Sequence, residues 1–477
     1  MKRFILRAGA LALVLAVLAA GAVLLFLQGQ GVTPRALAPY IAKRSSGHNP
    51  VIVGLGQRTA AALQALDRGT DPGPTPLPEL MLGAGSGAGQ PGPGSGRVVT
   101  VGSEPELRQA LAQAEAGDLI TLLPGRYRVG GYALAAARPG LAGRPVTVRA
   151  AALGSAVLEL ENQVGFKVSA PWWRFENLVL RGVCGDDGSC EHAFQVVAGA
   201  QHFVAVNNTL NEFNAAFKIN GEGGRYPDHG LIEANTIANT RPRRTANPVT
   251  PIDLVAASGW TMRANLISDF VKADGDQVSY GAFAKGAGTG NVFERNVVWC
   301  ERLLRGQPGQ RVGLSLGGGG TTPAACRDGR CIVEQERGVI RDNLIAGCSD
   351  AGIYLNSAAA STVARNTILD TAGVQVRYPT SSADLRGNLV DGAIVARDGG
   401  VLRAEDNLDT PLAYAYLGYH PVRRLFRNPD ALDLAWKDGA APERSASDRD
   451  AGPDLCGGPP HRVYGAFADF AACLRRP

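Results

Sequence analysis

The sequence predicts an all-β protein built as a right-handed parallel β-helix, a single-stranded solenoid with an N-terminal capping helix and disulfide-clipped loops. Three observations lead there. A short phrase centred on asparagine recurs at Asn177, Asn208, Asn235, Asn265, Asn296, Asn343, Asn366, Asn388 and Asn407, at spacings of 31, 27, 30, 31, 47, 23, 22 and 19 residues. A period of this size marks units that cannot bury an apolar face alone and must stack. The runs between the asparagines are short, rich in Val, Ile, Leu and Thr, and broken by Gly, Asn and Asp; a helical repeat would need amphipathic spans of about 10–15 residues. Aromatic residues make up only 6% of the chain and glycine 61 of its 477 residues, which suits narrow coils with tight corners. The recurring asparagine fits such a corner, its amide bonding to backbone and to the asparagine one coil above.

The N-terminus sets the compartment. Lys2, Arg3 and Arg7 precede an uncharged run from Ala8 to Leu27, and about 20 residues at about 1.5 Å each reach across a bilayer. The positive flank stays cytoplasmic and everything downstream is exported. Residues 1–27 are therefore expected to form an inner-membrane anchor, or a signal segment if cleaved. The body is then periplasmic, anchored facing the periplasm, or secreted. Eight cysteines agree with export. Cys184/Cys190, Cys326/Cys331 and Cys456/Cys473 are close in sequence, and Cys300 and Cys348 follow the repeat asparagines 296 and 343 by four and five residues, which puts them on adjacent coils. No C-x-x-C occurs and no histidine partners the pairs, so a zinc site is not expected. The formal charge of +5, carried by 41 Arg and 7 Lys against 43 acidic residues, leaves room for an acidic partner. It is too weak for a nucleic-acid partner. The expected assembly is a monomer.

In chain order, residues 28–96 read as a short helix, 56–68, and then a Pro/Gly-rich linker from Gly69 to Gly96 with nothing to pack. The β-helix is expected over 97–410. It opens with strand, helix and strand, Ser103 acting as N-cap with Glu106 three residues on, and Leu107, Leu111 and Ala114 giving an apolar stripe. A short amphipathic helix there would cover the open end of the first coil. Two excursions, 220–230 with 239–251 and the long gap before Asn343, leave the coil as loops of the kind that wall a groove. Residues 411–477 are expected to be a C-terminal cap, folding back over the last coil with Cys456 and Cys473 holding it.

One strand recurs once per coil and aligns by its small leading residue: 216–220, 251–255, 281–285, 313–317, 352–356, 373–377 and 393–397. Alternation turns its second and fourth residues inward, among them Phe217, Ile252, Ala282, Leu314, Ile353 and Val374. The outward columns are then Lys218, Asp253, Phe283, Ser315, Tyr354, Gln375 and Asn220, Val255, Lys285, Gly317, Asn356, Arg377, Arg397. Coils stack at about 4.8 Å, so these residues form a stripe along the rod. A polar, partly aromatic, partly basic stripe suits an acidic polysaccharide.

The chemistry such a stripe points to is β-elimination at a uronate: removal of the proton beside the carboxylate and expulsion of the 4-O group. That needs a base, and a cation or metal to neutralise the carboxylate as charge develops. Lys285 is the candidate base, with Tyr280 or His229 as alternatives. Arg225, Arg241, Arg243, Arg244 and Arg311 are candidate carboxylate partners, Arg311 as part of the catalytic set. Lys218, Asn220, Asp253, Tyr354, Asn356 and Arg377 are expected to bind substrate. Asp253, Asp274 and Asp276 are the acids from which a Ca²⁺ site would be built, if a cofactor is used at all. Hydrolysis would instead need two carboxylates about 5–9 Å apart, such as Asp253 with Asp274 or Asp276, or Glu222 with Asp228. A uronate epimerase, or a glycan-binding protein of the cell envelope without catalysis, fits the same stripe.

Residues 97–410 resemble the right-handed parallel β-helix superfamily of carbohydrate-active proteins. PELRQALAQAEAGDLITLLPGRY (105–127) and RPVTVRA (144–150) are similar to the opening helix and first strands of polysaccharide lyase family 6, the group of chondroitinase B and alginate lyases. GAFAKGAGTGNVFERN (281–296) resembles the stretch in which those lyases carry their catalytic base lysine, which implies that role for Lys285. Two departures stand out. The family's acidic calcium ligands, seven and five residues before the lysine, are replaced by Val278 and Tyr280. Its catalytic arginine, on the following coil, is replaced by the run GLSLGGGG (313–320).

Overall fold

The computed structural model describes residues 31–69, 73–87, 96–439, 441–444 and 452–474, with scattered positions between 11 and 27. From Val98 onward the chain winds through three parallel sheets of 12, 11 and 10 strands, visiting first, second and third sheet in the same order on each coil. Parallel strands joined by crossovers in one sense make this the right-handed β-helix that the asparagine period predicts.

The third sheet carries the recurring strand, here numbered β1 His192–Val197, β2 Ala215–Asn220, β3 Ile252–Val255, β4 Val278–Lys285, β5 Gln310–Leu316, β6 Ile353–Asn356, β7 Gly373–Arg377 and β8 Ala393–Arg397. Its inward column runs Phe217, Ile252, Ala282, Leu314, Ile353 and Val374 in direct register, every side chain fully buried. Nearer the N-terminus, Phe166, Phe194 and Phe217 stack one per coil at ring separations of 5.4 and 5.3 Å. Truncating such a ring costs about 3–5 kcal/mol.

Between first and second sheets the asparagines form one ladder from Asn208 to Asn407. Each Nδ2 donates to the Oδ1 of the next at 2.8–3.1 Å. Each also satisfies strand backbone, as Asn235 Nδ2 does with Ala205 O at 3.0 Å, while its Oδ1 accepts from the N–H of Asn208. Asn177 is not part of the ladder. Its place is taken by Leu178, whose N–H donates to Asn208 Oδ1, while Asn177 aligns with Asn207. The reason is conformational. The residue before each ladder position is left-handed (Asn177, Asn207, Ala234, Ala264, Arg295, Asp342, Arg365, Gly387 and Asp406). Asparagine tolerates that state better than most side chains, so the phrase at 177 falls one residue out of step.

The helix Glu104–Ala112 covers the first coil as expected. Ser103 Oγ accepts from Glu106 N, Glu106 reaches back to Gly102 N, and Leu107, Leu111 and Ala114 are buried. All four cysteine pairs form disulfides: 184–190, 300–348, 326–331 and 456–473.

Two expectations need correction. The stretch 73–87 packs rather than dangling. Leu80 and Leu82 join an apolar cluster on the outer face of the second sheet, and Met81, Gly83 and Ala84 bond to Cys473, Ala264 and Thr236. The C-terminal segment does not simply close the last coil. Val422, Phe426, Leu434, Leu455, Phe467 and Phe470 lie along that same face, against Val297, Trp299, Leu344, Leu369 and Leu389. A second-sheet face with apolar residues at both parities needs such a cover.

The chain divides into two units, Pro72–Asp409 with Val422–Pro477 and Met1–Asp71 with Thr410–Pro421. The second holds helices Pro34–Ser45 and Pro50–Arg68, longer than the expected 56–68, joined by an Arg35–Asp67 ion pair, with Tyr416 Oη donating to Val32 O. Among the described residues no helix is long and apolar enough to cross a membrane; the expected span at 8–27 falls largely outside them.

Candidate functional site

The outward columns of the third sheet stand in the predicted register. Lys218 pairs with Asp253, then Phe283, Ser315, Tyr354 and Gln375; Asn220 pairs with Val255 and Val255 with Lys285. Over β2 to β4 this face is the floor of a cleft of about 720 Å³. One wall is made by Pro248, Thr250, Lys272 and Asp276. The loops that carry it stack coil on coil through parallel bridges, Arg243 to Lys272 and Val249 to Ser279. The other wall is the run Gly318–Ala325. Buried Glu334 shapes it by accepting from Gly318 N, Thr321 N and Thr321 Oγ1. Arg327 then ties the same loop to the excursion at 220–230. Its guanidinium grips Asp228 at 2.7 and 2.8 Å and lies over the Tyr226 ring.

Three of the chain's seven lysines meet in this cleft. Lys218 Nζ donates to Asp253 Oδ2 at 2.8 Å, and Lys272 Nζ to Asp276 Oδ1 at 2.7 Å. Burial works to raise the Asp276 carboxyl, but the bonds from Lys272 and from Val278 N outweigh it and hold it below its ordinary range. Lys285 has no carboxylate partner among the described residues. Its amine rides 4.4 Å from the centre of the Phe283 ring. A Cβ on Gly318 would stand 2.9 Å from Lys285 Cδ, so glycine there leaves the lysine room. Val255, Phe283 and Tyr280, with Tyr226 beside them, give the floor an apolar, aromatic patch suited to the C–H face of a sugar ring. Burial pushes the Tyr280 phenol well above its ordinary value.

The cleft thus gathers Lys285, Tyr280, Lys218, Asn220, Asp253 and Asp276 from the expected set. The rest lie elsewhere. His229 stacks on His202, which stacks on Trp172, at the corner between third and first sheets. Arg311, 1% exposed, is spent on Glu301 and the carbonyls of Gln307 and Pro308, holding their loop. Arg243, fully buried, binds Asp187, Asn214 and the carbonyl of Cys190; Arg241 also pairs with Asp187, and the Arg244 backbone N–H donates to it. Arg225 is exposed in the excursion. Tyr354, Asn356 and Arg377 continue the stripe beyond the cleft, bonded to one another through the Tyr354 hydroxyl. Among the described residues no arginine lines the cleft. An arginine-rich loop advertises charge in sequence, but a buried carboxylate such as Asp187 claims it. Lys272 was missed, although the scarcity of lysine that singles out Lys285 marks it equally.

The acids suggested for calcium are not assembled. Asp274 is exposed outside the cleft, Asp253 and Asp276 are each tied to a lysine, and among the described residues no three His, Cys, Asp or Glu side chains are placed to hold a metal ion. Calcium takes six to eight oxygen ligands, roughly, and this donor set does not fit it.

Residues 322–407 match the family described as periplasmic copper-binding protein (NosD). That segment contains no histidine or methionine, and Cys326, Cys331 and Cys348 are all in disulfides, so it offers copper no imidazole or sulfur donor. No curated protein sequence matches the chain significantly. Among solved structures, pectate lyase Pel9A is similar at 16% identity over 79% of this chain and 97% of that one, with a TM-score of 0.52. The family 6 polysaccharide lyase Pedsa3628 of Pseudopedobacter saltans aligns at 12% identity over 71% and 99%, TM-score 0.35. The A-module of the mannuronan C-5 epimerase AlgE4 of Azotobacter vinelandii aligns at 13% over 68% and 93%, TM-score 0.37. At these identities the likeness to pectate lyase shows the fold, a right-handed parallel β-helix.

Proposed function

We propose that this chain is an exported polysaccharide-active protein that binds an acidic, uronate-containing glycan in the third-sheet cleft and cleaves it by β-elimination. One observation carries the reading: of the three lysines in the cleft, Lys285 alone has no carboxylate partner among the described residues, and it stands on the floor beside an aromatic patch and an open glycine wall. Lys285 Nζ takes the proton from the carbon beside the uronate carboxylate. The electron pair forms the new C=C bond as the C4–O bond breaks. Tyr280, kept protonated by its burial, is the wrong partner for a base and the right one for the departing 4-oxygen, whose own acidity is comparably weak. Hydrolysis is less well supported, since Asp253, Asp276 and Asp228 are each held by a cation and Glu222 stands near Lys167.

Export is supported by the four disulfides, by the apolar run at 8–27 and by the periplasmic description of the matched family. We place the body in the periplasm, tethered by 8–27 where that run is retained. The lack of arginine among the described residues that line the cleft favours a second reading, a glycan-binding protein without turnover. The full chain incubated with pectate, alginate, chondroitin and heparin separates the two. Unsaturated product, detected by its ultraviolet absorbance and lost in Lys285→Ala, supports the lyase; binding without product on any of them supports the binder.

A further inference from the structure

We propose that in this cleft the ammonium of Lys272, held by Asp276, does the work that a divalent cation does in calcium-using β-helix lyases, so that recognition of the substrate carboxylate is independent of metal. The inference rests on the acidic-glycan reading above and names the group that meets the carboxylate.

The positions at which the family resemblance implies calcium ligands are Val278 and Tyr280, and both line the cleft. Val278 has no ligand atom in its side chain, and Tyr280 keeps its proton. Asp276 Oδ1 lies between the two features: it accepts from Lys272 Nζ at 2.7 Å and from Val278 N at 3.1 Å. A single carboxylate oxygen therefore pins a positive charge next to the residue that replaces a ligand. Lys272 is only 4% exposed, yet it lines the cleft, and its ammonium has three protons for one acceptor among the described residues. A buried ammonium with two donors unspent is an incomplete site, and a carboxylate completes it. Lys218, pinned by Asp253, approaches from the floor in the same way. Asp253 Oδ1 is buried with no hydrogen-bond partner among the described residues. The pairing of each acid with a lysine also explains why the acids of this cleft do not gather. Their charge is already answered from within the chain.

The test is calorimetric binding of saturated uronate oligosaccharides, pectate- and alginate-derived, to the full chain carrying Lys285→Ala, so that no turnover occurs. It is run once with calcium and once with chelator, and calcium alone is titrated in parallel. We expect the same affinity in both, no heat from calcium alone, about tenfold or greater weakening in Lys272→Met, and partial recovery in Lys272→Arg. Thermal unfolding of each variant shows that the loss is not one of folding. Binding that disappears with chelator and returns with calcium overturns the inference and leaves the acidic-glycan reading standing, as does unchanged affinity in a folded Lys272→Met. Absence of binding to every acidic glycan under both conditions overturns the two together.

Discussion

Two outward faces of the same coil meet opposite fates. On the second sheet, Val297, Trp299, Leu344 and Leu389 point away from the coil interior and are covered by the chain's own C-terminal segment and by 77–86. On the third sheet, Lys218, Asp253, Phe283 and Lys285 point away from the same interior and remain as the floor of a cleft. Strand alternation is the same in both; only the residues at the outward positions differ. An outward column of large aliphatics calls for a covering segment of the chain, and one of lysines, acids and a few aromatics stays free for a ligand. Both faces tolerate change differently as a result, and that difference can be tested.

The largest effect belongs to the open face. Lys285→Ala is expected to lower the rate of unsaturated-uronate formation by about 10²–10⁴, the range over which a positioned base contributes, with no change in the unfolding midpoint. A parallel fall in stability would show that Lys285 holds the face together and does not act on substrate. On the covered face the pattern reverses. Phe467→Ala removes a fully buried ring from the tail's contact with the second sheet and is expected to cost about 3–5 kcal/mol in denaturant unfolding, with turnover per folded molecule unchanged at low temperature.

The ladder lies at the corner between first and second sheets and serves both faces. Asn296→Ala leaves the N–H of Asn265, which donates to Asn296 Oδ1, and Met262 O, which accepts from Asn296 Nδ2, without their partners. Each buried unsatisfied group costs about 1–3 kcal/mol. For the two groups together a loss of about 2–6 kcal/mol, read by chemical denaturation, would confirm that the phrase specifies the corner; a neutral outcome would show that the corner stands without it.

The sequence made these two faces unequally legible. Period-two alternation is local, so aligning Lys218, Asp253 and Phe283 with the neighbouring coils needed only the repeat, and the pairing register agrees. The strength of the ladder was visible too, except at Asn177, where one asparagine in a left-handed corner resembles another that bonds across coils. What could not be seen was set by contacts far apart in the chain. Arg243 read as a ligand for a substrate carboxylate because nothing near it in sequence shows that Asp187 binds it; Arg311 did so although Glu301 lies only ten residues before it, because the loop that turns back to join them leaves no mark in the sequence. The stretch 73–87 read as a linker because its partners, Cys473 and Ala264, lie roughly two to four hundred residues away. Lys272 escaped for a different reason: it belongs to a wall loop, outside the repeating strand that organised the reading.

The smallest expected effect concerns pH, and each face supplies one histidine. His192, near Lys218 and Asp253 beside the open face, and His461, in the segment that covers the other, are both held below the ordinary histidine value, chiefly by burial. Nearby Glu191 and Asp454 pull the other way without reversing the direction. The folded state therefore takes up these protons less readily than the unfolded chain. The stability that goes with the neutral rings is present above the unfolded value of about 6.5 and is lost as pH falls toward the depressed folded values. Unfolding free energy measured between about pH 8 and about pH 5, the window of histidine charging, should fall in the wild type and fall less steeply in His461→Gln and in His192→Gln. If His461→Gln alone flattens the slope, the acid sensitivity belongs to the covered face; if His192→Gln alone does so, it belongs to the face that holds the site.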